Sequence, residues 1–148
     1  MPTDAPHPLV LVIEDDREMR ELVCYILEEA GFVTHQLEDG TRAVDLAAAR
    51  RPALVLLDVM MPGVDGYTAA SQLRQDPRTR HIPIVFVTAE SGPVYRTLSL
   101  GVGAQAHVTK PFVAEQLVRI VNHVVAGASP EGRAGRDATD ARPDGGSR

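Results

Sequence analysis

Three short apolar runs constrain this chain more than anything else in it: Leu9–Ile13, Ala53–Leu57 and Ile84–Val87. None alternates apolar with polar side chains. A strand with one face in water must alternate, so an unbroken run implies a strand buried on both faces, as in a parallel sheet covered by helices on either side. Pro83 stands at the entry to the third run, where a missing N–H is tolerated. Val33–Leu37 and Ala106–Thr109 are two weaker strand candidates.

Helical periodicity fills the gaps. Met19, Leu22, Val23, Ile26 and Leu27 follow the spacing of one helix face. Asp15 or Asp16 can cap that helix, and Gly31 ends it as a left-handed residue would. A second helix is predicted over Ala43–Arg50, stopped before Pro52, a third over Tyr67–Arg74 and a fourth over Val94–Leu100. In a fifth, Val113–Val125, the residues Val113, Leu117, Ile120, Val121, Val124 and Val125 share one side. Five strands alternating with helices predict an α/β fold with a doubly wound parallel sheet, because parallel neighbours need right-handed helical crossovers.

The rest of the composition narrows the class. Among 148 residues, 15 basic against 20 acidic give a net charge of -5, which argues against a nucleic-acid partner. A single cysteine, Cys24, cannot form an internal disulfide; it falls off the apolar stripe and reads as an inert small side chain. No apolar run is long enough to cross a bilayer, and Met1–Pro8 holds no apolar signal core, so a cytoplasmic protein without membrane insertion is expected. The division expected is a short lead over 1–8, one domain over 9–126 and a disordered tail over 127–148. That tail carries five Gly, two Pro, four Arg and four acidic residues, and no apolar side chain larger than Ala.

Ligands of open α/β sheets bind beyond the carboxyl ends of the strands, so the residue after each strand matters most. The first strand leads into Glu14, Asp15 and Asp16, the third into Asp58, the fourth into Thr88 and the fifth into Lys110. Carboxylates at close quarters repel unless a cation intervenes. Hard oxygen donors of this kind suit Mg²⁺. A carboxylate held between Mg²⁺ and an ammonium is placed to attack phosphorus, with Thr88 able to hydrogen-bond a phosphoryl oxygen.

Four segments, Leu11–Asp16, Leu57–Gly66, Val87–Ala89 and Val108–Phe112, resemble in order and spacing the motifs of bacterial response-regulator receiver domains of the chemotaxis-regulator type. The resemblance covers about Leu9–Ala126 and implies a flavodoxin-like receiver fold with sheet order 2-1-3-4-5. It implies Asp58 as phosphoacceptor, Asp15 as direct Mg²⁺ ligand, Glu14 holding the metal's water and the Met60 backbone carbonyl as a further ligand. It implies Thr88 as the switch hydroxyl and Lys110 as the phosphoryl contact, with a cis Lys110–Pro111 bond. Met60 and Glu90 would flank the path of the hydrolytic water. His107 departs from the pattern, since receivers usually carry Tyr or Phe there. A histidine can fill the slot, hydrogen-bond or charge, or be no more than a tolerated, partly buried ring.

The same resemblance implies a partner that donates from phosphohistidine, either a sensor histidine kinase or a histidine phosphotransfer protein. Output is expected by contact with a downstream protein or by onward phosphotransfer. The face of the fourth helix, fifth strand and fifth helix would carry it, and receivers also form homodimers there. Beyond its own phosphorylation and dephosphorylation no enzyme activity is expected. Two other readings stay open: a phosphorylation-independent binding module, and a small metal-dependent phosphohydrolase. The second is disfavoured by Met60, where such enzymes carry an acid. Other roles for single residues are blander. Asp15 and Asp16 serve as helix caps in many strand–helix turns, and Asp65–Gly66 reads as a turn that starts a helix.

Overall fold

The computed structural model describes residues 7–59, 65–89 and 101–128. Five strands, β1 (Leu9–Ile13), β2 (Val33–Leu37), β3 (Leu54–Leu57), β4 (Ile84–Thr88) and β5 (Ala106–Thr109), form one sheet in the order β2-β1-β3-β4-β5, with every neighbouring pair parallel. The helices among the described residues are α1 (Arg17–Glu29), α2 (Ala43–Arg50), α3 (Gly66–Gln75) and a final helix, Ala114–Ala128. The fourth helical pattern, Val94–Leu100, lies outside the described residues, as do Met60, Met61, Glu90 and residues 129–148. The expected flavodoxin-like order is the one observed.

Alternate residues of each strand enter different layers, which is why the runs need to be apolar throughout. Leu11, Ile13, Val55, Leu57, Ile84 and Phe86 pack against Ala43, Ala47, Ala69, Ala70 and Leu73 of α2 and α3. Val10, Val12, Leu54, Leu56, Val85, Val87 and Val108 pack against Val23 and Leu27 of α1 and Leu117 and Val121 of the final helix. Two apolar layers on one sheet hold the strand ends in fixed register, and those ends carry the polar residues of interest.

The helix faces differ from the expected ones in three places. Leu22 is 48% exposed while Cys24 is buried at 3%, so α1 meets the sheet one residue further round than its apolar pattern implied. Val113 is 63% exposed and precedes the final helix. It caps rather than packs: its carbonyl accepts from the Gln116 and Leu117 N–H groups. That helix also continues through Gly127 and Ala128, past the boundary expected at 126, because its N–H ladder does not depend on apolar content. Asp16, not Asp15, caps α1, accepting from the Met19 N–H, and Gly31 follows its end at φ 100°. No helix among the described residues is long and apolar enough to cross a membrane.

At the opposite edge of the sheet, Arg74 ties three segments together. Its guanidinium donates to the carbonyls of Arg80, Ile82 and Gly103 and to the Gln105 side chain. This fixes the turn before β5 against the end of α3.

Candidate phosphoacceptor and metal site

The site is built by backbone before any side chain is considered. The Glu14 N–H donates to the Leu37 carbonyl and the Asp58 N–H to the Ile13 carbonyl, at 3.1 and 3.0 Å. The first residue past β1 is thereby tied to the end of β2, and the first past β3 to the end of β1. Lys110 is anchored in the same way, its N–H donating to the Thr88 carbonyl at 2.9 Å, and the Lys110–Pro111 peptide is cis as the resemblance implied. Glu14 and Asp58 are buried at 4% and 5%, Thr88 is fully buried and Asp15 is exposed at the mouth. A void of only about 10 Å³, lined by Val12, Ile13, Leu57 and Val87 among others, lies beneath them, so the floor is closed.

Glu14, Asp15 and Asp58 each present a carboxylate oxygen, all within 4.8 Å of one another. The Lys110 ammonium donates to Glu14 at 2.9 Å and to Asp58 at 3.5 Å. Burial, the hydrogen bond to Asp58 and repulsion from it lift Glu14 to a pKa of about 7 despite the opposing pull of Lys110. Burial pulls the Lys110 pKa down, but Glu14 and Asp58 more than reverse this and leave it above its ordinary value.

Glu14 therefore holds a proton more tightly in the folded than in the unfolded chain. Between its unfolded pKa near 4.5 and its folded value near 7, the folded state carries the extra proton. Stability of the metal-free protein is expected to fall as pH rises through that window, by roughly 2 kcal/mol, and then to level off. Urea unfolding in chelator at several pH values checks this, and Glu14→Gln is expected to remove most of the slope.

One ammonium against three carboxylates leaves the cluster strongly negative, and its donors are hard oxygens on two adjacent strand ends. These residues fit Mg²⁺, which binds through one or two carboxylates and keeps several waters. Met60, the proposed carbonyl ligand, lies outside the described residues.

Two contributors to the site were not picked out from sequence. Arg20, one turn into α1, donates to the Glu14 carbonyl at 2.7 Å and reaches the Asp15 carbonyl at 3.5 Å. Its only sequence signal is its place one turn after the cap Asp16. Gly66 was read only as the start of a helix. Its N–H donates to the Val59 carbonyl, and a Cβ built on it would lie 2.3 Å from the Asp58 carbonyl oxygen. The neighbouring Asp65 caps α3 by accepting from the Thr68 N–H.

His107, in register with Phe86, is partly buried, and its Nε2 is buried without a hydrogen-bond partner. A Tyr or Phe ring would leave no such nitrogen inside.

Residues 10–122 match the model of the response regulator receiver domain family. The phosphate regulon transcriptional regulatory protein PhoB of Escherichia coli is 38% identical over 121 residues, 82% of this chain and 53% of that protein. The chain thus spans about half the length of the curated relatives it matches. Among solved structures, the Vibrio cholerae chemotaxis protein CheY4 superposes with a TM-score of 0.77 at 28% identity, covering 80% of this chain and 99% of that one. The receiver domain of the Pseudomonas aeruginosa sensor histidine kinase PA1611, solved with a magnesium ion coordinated in the active site cleft, gives 0.76 at 27% identity over 82% and 99%. With the sheet order, the acid cluster and the lysine placed as above, this chain belongs to the response regulator receiver domain family.

Proposed function

We propose that this chain accepts a phosphoryl group on Asp58 from a phosphohistidine, presented by a sensor histidine kinase or a histidine phosphotransfer protein, with Mg²⁺ held by Glu14, Asp15 and Asp58. The observation that carries the reading is the buried Asp58 carboxylate set among Glu14, Asp15 and Lys110 at the carboxyl edge of the sheet. An Asp58 carboxylate oxygen attacks phosphorus, the P–N bond breaks, and the electron pair returns to the donor imidazole. The product is an acyl phosphate. Water later attacks its phosphorus, releasing phosphate and restoring the carboxylate.

When bound, Mg²⁺ would neutralise charge on the phosphoryl oxygens. Lys110 stands within 3.5 Å of Asp58 and supplies a second cation to those oxygens, while Thr88 at the end of β4 supplies a hydroxyl. Glu14 and Asp15 hold the metal, and the backbone bond from Asp58 to Ile13 keeps the nucleophile from swinging. Phosphorylation then shifts an existing conformational equilibrium. The signal leaves by contact with a downstream protein or by onward phosphotransfer, on the face that includes β5 and the final helix. The same face would serve a homodimer. No turnover of free substrates is proposed, and the cytoplasmic setting expected from the sequence is kept.

His107 supports a second reading, a receiver fold that binds partners without phosphorylation, since the usual aromatic relay is replaced. Incubation with acetyl phosphate or beryllofluoride, with and without Mg²⁺, separates the two. A mass gain of one phosphoryl group, or a beryllofluoride complex, is expected only with Mg²⁺. Absence of any Mg²⁺-dependent response would leave the binding module. Steady release of phosphate from a free phosphoester would instead point to a hydrolase.

A further inference from the structure

A guanidinium beside a cluster of carboxylates would ordinarily pair with them, fork to fork, and close the cluster to a metal. Arg20 does not. Its donors go to the Glu14 carbonyl at 2.7 Å, to the Asp15 carbonyl at 3.5 Å and, through Nε, to the Gln36 side chain at 3.0 Å. The charge sits under the loop that carries two of the three acids, while the carboxylate oxygens stay clear of it. That loop has few other ties: the Glu14 N–H to Leu37, and the Asp16 N–H to the Glu14 side chain at 3.2 Å. Asp15 itself is exposed.

We propose that Arg20 is a positioning residue for Mg²⁺. It clamps the β1–α1 turn through backbone oxygens, so that the Glu14 and Asp15 carboxylates are aimed at Asp58 before the cation arrives. Gln36, on the edge strand β2, is the far anchor that holds the guanidinium in this orientation. This inference rests on the Mg²⁺ reading given under Proposed function.

Two physical roles for Arg20 predict opposite signs. If its positive charge merely opposed the incoming cation, removing it would tighten Mg²⁺ binding. If it positions the ligands, removing it loosens binding, and groups that orient metal ligands commonly govern affinity about tenfold or more. Calorimetric titration of the full chain with MgCl₂, in wild type, Arg20→Met, Arg20→Lys and Gln36→Leu, reads that sign. Arg20→Met is expected to weaken Mg²⁺ about tenfold, and Gln36→Leu, an exposed change that leaves the core untouched, about two- to threefold. Arg20→Lys should recover part of the loss by keeping one donor to the Glu14 carbonyl.

Hydrogen exchange of the Asp15 and Asp16 amides in chelator gives a second readout that needs no metal. Exchange is expected to quicken about tenfold in Arg20→Met and less in Gln36→Leu. Mg²⁺ affinity that is unchanged or tighter in Arg20→Met, or unchanged loop exchange, overturns the proposal while leaving the metal site standing. Failure of the wild-type chain itself to bind Mg²⁺ overturns both.

Discussion

Replacing Asp58 by Asn is expected to abolish phosphoryl uptake from acetyl phosphate and, in the same protein, to raise the stability of the metal-free fold. The first effect follows from chemistry, because an amide oxygen is too weak a nucleophile to form the acyl phosphate. The second follows from the electrostatics of the cluster. Burial does most to lift Glu14 to a pKa of about 7, and Asp58 adds to it both by hydrogen bonding and by repulsion. An asparagine removes the repulsion and leaves Lys110 free to serve Glu14 alone at 2.9 Å. A gain of roughly 1–2 kcal/mol near neutral pH is expected. Mg²⁺ should stabilise the wild type by mass action and the variant much less. Intact mass after phosphodonor treatment checks the first effect. Urea unfolding with and without Mg²⁺ checks the second, and a variant less stable than wild type in chelator would show that Asp58 is not under electrostatic strain.

Gly66→Ala is expected to damage both the fold and the site. A Cβ there would stand 2.3 Å from the Asp58 carbonyl oxygen, 2.6 Å from the Val59 Cα and 2.9 Å from the Asp58 carbonyl carbon. All three atoms are backbone, so no side chain can swing away to make room. Either α3 lifts from the sheet or the Asp58–Val59 segment moves. Overpacking that forces backbone shifts costs about 1–3 kcal/mol, occasionally more, and the upper end is expected here. Asp58 would move with its own carbonyl, so beryllofluoride binding should weaken even in the folded fraction. Urea unfolding and beryllofluoride titration measure the two effects separately. The reading fails if the variant is as stable as wild type and binds as well.

Much of this was legible in the sequence for a local reason. Apolar runs that do not alternate can be satisfied only between two helical layers, and that requirement fixes a parallel, doubly wound sheet. Once the strands are parallel, their carboxyl ends share one edge. Glu14, Asp15, Asp58, Thr88 and Lys110 were therefore readable as neighbours across 96 residues of chain. Helix faces were less legible. α1 buries Cys24 and exposes Leu22 because its rotation is set by packing against the sheet and the final helix, and the apolar pattern allowed either neighbour to face inward.

The sequence by itself determined the sheet, the edge where chemistry gathers and the residues that gather there. Tertiary structure alone decided how they are held. The Lys110 ammonium sits nearer to Glu14 than to Asp58, at 2.9 against 3.5 Å. Arg20 takes backbone oxygens and leaves the carboxylates clear. Gly66 earns its place by a close approach to the Asp58 backbone rather than by any turn of its own. Each of these depends on distances of a few ångströms between segments far apart or differently oriented in the chain. Residue type and spacing set which groups meet; only packing in three dimensions sets which atoms of those groups touch.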